Sequence, residues 1–146
     1  MKNILIVEDD AFFRLVLLSG LGLHLRNFNF LTASNGREAV DILKSLPVHF
    51  VLTDLYMDGM DGFQLLEYVN ANHSGVPVAI MSGEHSQTVK ERLGRMGVST
   101  YFEKPFDLKE VEAEIQGALG NRPACEVSRP VTRHNRMSGG LATQGG

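Results

Sequence analysis

The chain has 146 residues, with 14 Lys and Arg against 17 Asp and Glu for a formal net charge of −3, and is 43% hydrophobic and 21% charged. That length suits one domain with a core of its own, and the balance excludes a wholly disordered or fibrous chain. The lone cysteine, Cys125, cannot form an intrachain disulfide, no apolar run approaches the ~18 residues of a membrane span, and Ile4–Val7 is too short for a signal-peptide core, so a soluble cytoplasmic protein is expected.

In residues 1–120, short apolar runs of strand type alternate five times with segments of helical period. Asn3–Val7 is a near-continuous apolar run, as a central strand buried on both faces requires. Asp10 then offers an N-cap to a helix in which Phe13, Val16, Leu17 and Leu21 recur at helical spacing. Phe28–Ala33 reads as the second strand. Asn35 and Glu38 stand at capping-box spacing ahead of Ala39, Ile42, Leu43 and Leu46, and Pro47 ends that helix. Phe50–Thr53 is the third strand, followed by the Asp- and Gly-rich loop Asp54–Asp61. Asp61 and Gln64 form a second capping pair before Phe63, Leu65, Leu66 and Val69. Val76–Met81 is the fourth strand, with Pro77 tolerated near its start, and Ser86 caps a helix that runs through Met96 and ends at Gly97. Val98–Phe102 is the fifth strand, broken by Pro105. Asp107 and Glu110 then cap a last helix carrying Leu108, Val111, Ile115 and Ala118.

Strict alternation of strands and helices implies an α/β fold with a parallel sheet and helices on both faces. Right-handed crossovers narrow this to a doubly wound sandwich, whose site lies beyond the carboxyl ends of the strands. The residues due at that end are Glu8, Asp9 and Asp10 after strand one, Asp54 after strand three, Ser82 after strand four and Lys104 after strand five. Each has a plainer role when taken alone: acids at a helix start, a turn aspartate, a surface serine or lysine. Together, from separate elements, they make one site. Crowded carboxylates repel unless a cation sits among them, and oxygen ligands in a shallow site suit Mg²⁺. The Lys104 ammonium and the Ser82 hydroxyl, with that cation, suit the three oxygens of a phosphoryl group, whose acceptor would be a carboxylate.

Four segments carry a resemblance to a known family. Ile4–Asp10 with Arg14, Leu52–Gly62 (LTDLYMDGMDG), Val78–Ser82 (VAIMS) and Tyr101–Phe106 (YFEKPF) resemble, in order and spacing, the motifs of the receiver domain of two-component response regulators, the CheY-like family. The resemblance spans residues 1–119 and implies a flavodoxin-like five-stranded sheet of order 2-1-3-4-5. It makes Asp54 the phosphoacceptor. Asp9 becomes a direct Mg²⁺ ligand, Glu8 one acting through water, and Asp54 with the backbone carbonyl of Tyr56 completes the protein's share. Lys104 pairs with the phosphoryl group, Ser82 reorients to hydrogen-bond it, and Tyr101 swings inward into the space that Ser82 leaves. Tyr56 and Glu84, two positions beyond Asp54 and Ser82, stand where the family tunes attack by water. Asp58 departs from the pattern, since the family usually has proline there, and is expected to loosen the loop or alter Mg²⁺ affinity.

The function so implied is a phosphorylation switch. A sensor histidine kinase or histidine phosphotransfer protein donates the phosphoryl group, and a downstream protein reads the face formed by the fourth helix, fifth strand and fifth helix. A homodimer is a further partner the family allows; membrane contact is not expected. The domain is a phosphoacceptor rather than a turnover enzyme. A haloacid-dehalogenase type of phosphohydrolase needs a second acid where Tyr56 stands, and a flavodoxin-like cofactor binder needs a phosphate-cradling first loop where the acids stand. A phosphorylation-independent scaffold would not need the full set of acids, Ser82 and Lys104.

Residues 1–120 hold ten basic and sixteen acidic side chains, whereas 121–146 hold Arg122, Arg129, Arg133 and Arg136 against Glu126. A disordered basic tail is expected there, and with no Phe, Tyr or Trp to stack on bases, direct DNA binding is not. The 26 residues after Gly120 are too few for an output domain, so the chain is expected to be a single-domain regulator or the N-terminal receiver of a longer one. His24, His49, His73 and His134 form no metal pair, and His85, near Ser82, is expected at an exposed helix start.

Overall fold

The computed structural model describes residues 1–84 and 86–120. The reading of His85 and the expected tail lie outside them. The elements are β1 (Lys2–Val7), α1 (Ala11–His24), β2 (Phe28–Ala33), α2 (Gly36–Ser45), β3 (Phe50–Asp54), α3 (Gly62–Asn72), β4 (Val78–Ser82), α4 (Gln87–Arg95), β5 (Thr100–Glu103) and α5 (Leu108–Leu119). All strands are parallel, in the order β2-β1-β3-β4-β5, so the doubly wound architecture and strand order are as expected.

Because successive strand residues point to opposite faces, the five strands feed two separate cores. Ile4, Ile6, Leu52, Ala79, Met81 and Phe102 pack on Leu17 and Leu21 of α1 and on Val111 and Ile115 of α5. Leu5, Val7, Val51, Val78, Ile80 and Tyr101 face the other way, onto Leu43, Leu66 and Leu93 of α2, α3 and α4. This explains why β1 and β3 read as unbroken apolar runs rather than alternating ones.

The caps hold the helix starts in place, with local differences. Asp10 accepts from the N–H groups of Phe12 and Phe13, at 2.9 and 3.1 Å. Asp61 and Gln64 form the full reciprocal box. At α2 only half of the expected box forms: Asn35 accepts from Glu38 N–H, but the Glu38 carboxylate takes the N–H and hydroxyl of Ser34, at 2.7 and 2.8 Å. Leu46 lies beyond α2 as its C-cap, with ψ 149°, and is exposed. Pro47 disfavours the helical region at the residue before it, so the last apolar position of that stripe never reaches the core. Val16 is exposed too, on the solvent side of α1. β4 and β5 each start two residues later than the sequence suggests, at Val78 and Thr100, because Pro77 has no N–H and Gly97, at φ 86°, is still turning the chain.

Candidate functional site

The carboxyl end of the sheet gathers the charges. β1 and β3 are neighbours, with Val7 in register with Thr53, so the residues that follow them, Glu8 and Asp54, emerge side by side. One carboxylate oxygen from each of Glu8, Asp9 and Asp54 lies within 4.8 Å of the others. Lys104 arrives from β5, its backbone N–H bonded to Ser82 O at 2.8 Å. Its ammonium stands 3.4 Å from Glu8 Oε1 and 3.4 Å from Asp54 Oδ1. The Glu8 and Asp54 side chains are only 2% and 12% exposed, which makes this an unusual place for two acids.

Backbone groups fix the carboxylates. Glu8 Oε2 accepts from Asp10 N–H at 3.1 Å and Asp54 Oδ1 from Leu55 N–H at 2.9 Å. Arg14 donates to the Glu8 carbonyl at 2.7 Å, tying α1 to the end of β1. The turn after Asp54 is held by Gly62, whose N–H bonds Leu55 O at 2.7 Å. A Cβ there would stand 2.7 Å from the Asp54 carbonyl and 2.8 Å from Leu55 Cα, so only glycine lets α3 start against this strand end.

Burial is the main force on both carboxyls, pushing Glu8 and Asp54 above the usual carboxylate range. The Lys104 charge pulls both back, while Asp54 acts on Glu8, and Asp9 on Asp54, to push them further up. Glu8 and Asp54 therefore share one ammonium, with the Asp9 carboxylate beside them. An all-oxygen donor set short of positive charge fits a hard divalent cation such as Mg²⁺.

The other sequence-selected residues occupy separate places at this end of the sheet. Ser82 is buried, and its hydroxyl oxygen accepts from Glu84 N–H at 2.9 Å. Tyr101 is fully buried, already turned inward, with its hydroxyl donating to the Glu84 carbonyl. Tyr56 is half exposed, and partial burial, helped by the nearby Glu84 and Asp61 charges, raises its phenol. Asp58 is exposed in the loop, just ahead of Gly59 at φ 76°. Asp10 stands apart from the acid cluster as the α1 cap.

Two features were not read from the sequence. Phe13, taken as a core residue of α1, lies under Lys104 Nζ at 4.7 Å and meets Phe106 edge-on, so it is the apolar seat of the ammonium. Lys90 of α4 pairs with Glu103 of β5 and lies over the Tyr101 ring, 5.5 Å from its centroid. Strand alternation placed Tyr101 and Glu103 on one face; nothing in the sequence indicated which residue would meet them.

Comparison with known proteins bears on the same geometry. The family described as response regulator receiver domain matches residues 4–116. The chain belongs to that family. Members are phosphoacceptors with an acidic pocket that binds Mg²⁺, and they interact with histidine kinases. The DNA-binding transcriptional regulator NtrC of Escherichia coli K12 is 33% identical over 119 residues, covering 80% of this chain and 24% of that protein. The heme response regulator HssR of Staphylococcus aureus Newman is 31% identical over 119 residues, covering 82% and 52%. This receiver therefore spans about a quarter and about half of those two relatives. Among solved structures, the signal receiver domain of a DNA-binding response regulator from Colwellia psychrerythraea matches with a TM-score of 0.75 at 29% identity, over 80% of this chain and 96% of that one. Chemotaxis protein CheY4 of Vibrio cholerae shares the fold, with a TM-score of 0.72 at 23% identity over 82% and 99%. Among the described residues, no helix of the receiver is long and apolar enough to cross a membrane.

Proposed function

We propose that this receiver, comprising residues 1–120, accepts a phosphoryl group on Asp54 in the cytoplasm and signals through changed protein contacts. The observation that carries the reading is Lys104, held 3.4 Å from both Glu8 and Asp54 within a cluster of three carboxylates. An Asp54 oxygen attacks the phosphorus of a phosphohistidine carried by a kinase or phosphotransfer protein. The phosphorus–nitrogen bond breaks, its electron pair stays on the imidazole, and a phosphoryl-aspartate remains. Lys104 pairs with a phosphoryl oxygen, and the Ser82 hydroxyl, whose oxygen accepts from Glu84 N–H, donates its own O–H to another. Glu8, Asp9, Asp54 and the Tyr56 carbonyl are the groups that would hold Mg²⁺, which supplies positive charge against the carboxylates and phosphoryl oxygens.

Tyr56 and Glu84 flank the approach of water and set how long the phosphoryl-aspartate lasts. A downstream protein, or a second copy, reads the α4–β5–α5 face, where Tyr101 reports on Ser82. A second reading is favoured by coverage, since this chain spans a quarter of NtrC and about half of HssR. In that reading the receiver governs a further domain of its own polypeptide, and the stretch 121–146 is the beginning of the connection.

The test is labelling by a small phosphodonor with and without Mg²⁺. Label is expected only with Mg²⁺ and only in the unaltered protein; label retained in Asp54→Asn overturns the assignment.

A further inference from the structure

Tyr101 and Glu103 are two residues apart on β5 and so share the face that α4 covers. Between them lies Lys90, on the second turn of α4. Its ammonium pairs with the Glu103 carboxylate and rests 5.5 Å from the Tyr101 ring centroid, with the two charged side chains only 17% and 31% exposed. A lysine can bridge two such groups because its point charge satisfies a carboxylate while its flank lies along a ring face.

The consequence runs inward. Tyr101 donates to the Glu84 carbonyl, and Glu84 N–H donates to the Ser82 hydroxyl oxygen. A continuous path therefore joins α4 to the strand end beside the phosphoacceptor: Lys90, Tyr101, Glu84, Ser82. Glu103 is also the strand partner of Ser82, so the pair closes a loop between β4, β5 and α4. Glu103 and Glu84 both act on the Tyr101 phenol, and Lys90 is the cation that lies over its ring.

We propose that the Lys90–Glu103 pair is a clasp that holds Tyr101 inward and, through Glu84, sets the orientation of the Ser82 hydroxyl. Lys90 and Glu103 are thus positioning residues for the phosphoacceptor reaction. The part concerning Ser82 rests on the function proposed above; the position of the ring does not.

Fluorine NMR of protein carrying 3-fluorotyrosine at Tyr56, Tyr68 and Tyr101 tests the clasp, with the Tyr101 signal assigned from the two other Tyr→Phe variants. In the unaltered chain that signal should show the small solvent-isotope shift of a buried ring. Lys90→Met keeps the aliphatic stem, and Glu103→Gln keeps the cation over the ring. Each should shift the inward-to-outward ratio by about fivefold, given an ion pair and a cation–ring contact at partly buried positions. Because the two residues act as one unit, Lys90→Met with Glu103→Gln should be no worse than the stronger single variant. A Tyr101 signal unmoved in both single variants, or effects that simply add in the double, overturns the clasp. Asp54 labelling by a small phosphodonor, measured on the same proteins, should slow about threefold where the ring is released. Loss of labelling in the unaltered chain would count against the phosphoacceptor reading alone, since the ring signal is read without it.

Discussion

Along β1 four buried positions, Ile4, Leu5, Ile6 and Val7, lead to Glu8; along β3, Phe50, Val51 and Leu52 lead through Thr53 to Asp54. The same strands thus build a dry apolar interior and, one step further, a buried group of charges. In the interior, burial removes apolar surface from water and holds the fold together. At the strand end, burial strips water from carboxylates that Lys104 and the Asp10 and Leu55 N–H groups offset only in part, and it works against the folded state. The two regions differ in sign. The strand end is left short of positive charge, a shortage that a divalent cation would relieve.

The largest effect expected from this contrast is at Lys104. Replacing it with Met removes the ammonium from between Glu8 and Asp54, and phosphodonor labelling should slow about a hundredfold, the scale on which a single group stabilising a developing charge acts. A change below about threefold would mean that Lys104 serves the resting pocket and not the reaction.

Stability offers the direct comparison. Ile6→Ala opens a cavity in the interior and should cost about 3 kcal/mol by denaturant unfolding. Asp54→Asn, without Mg²⁺ at neutral pH, should instead raise Tm by about 4 °C, because one of three crowded charges is gone. The sign of the pH dependence follows. Burial raises Glu8 and Asp54 above their unfolded values, so their contribution is fully present below the ordinary carboxylate range and is lost as pH rises through the raised values. Metal-free protein should therefore lose stability on this account between acid and neutral pH, and Mg²⁺ should restore more of it the higher the pH. An Asp54→Asn variant less stable than the parent in metal-free buffer, or a Mg²⁺ effect independent of pH, would erase the difference between the two regions.

At the rim of the pocket the effects should be smaller. Tyr56 is half exposed beside the acceptor loop, where its ring can shield the phosphoryl-aspartate from water. Tyr56→Ala should shorten the lifetime of the label by about fivefold, within the range that general water access spans. Label lost no faster would remove Tyr56 from that role.

The contrast also separates what could be read in the sequence from what could not. Apolar runs ending in acids are local, and a parallel sheet converts strand ends into one place, so Glu8, Asp9, Asp54, Ser82 and Lys104 were legible together. Caps at Asp10, Asp61, Ser86 and Asp107 were legible because capping depends on neighbours two or three residues away. Val16 and Leu46 fit a helical stripe but not the packing, since periodicity does not say how wide a face the sheet covers. Glu38 turned to Ser34 because two donors there outbid one backbone N–H. The seat of Lys104 on Phe13 and the Lys90–Glu103 pair join elements 91 and 13 positions apart in the chain, and no local pattern encodes such contacts.

The smallest expected effect is at Asp58. It is exposed, four residues past Asp54, and adds one negative charge to the loop that follows the acceptor. A charge acting through solvent is worth little and is screened by salt. Asp58→Asn should weaken Mg²⁺ binding about twofold in low salt and leave it unchanged at about 0.5 M salt, where the screening length falls well below 10 Å. Asp58→Pro removes the same charge and also fixes φ ahead of Gly59, so any difference between the two variants measures loop stiffness alone. Equal Mg²⁺ affinities and equal labelling rates in all three proteins would show that the electrostatics of the pocket end at the buried carboxylates and do not extend to the loop around them.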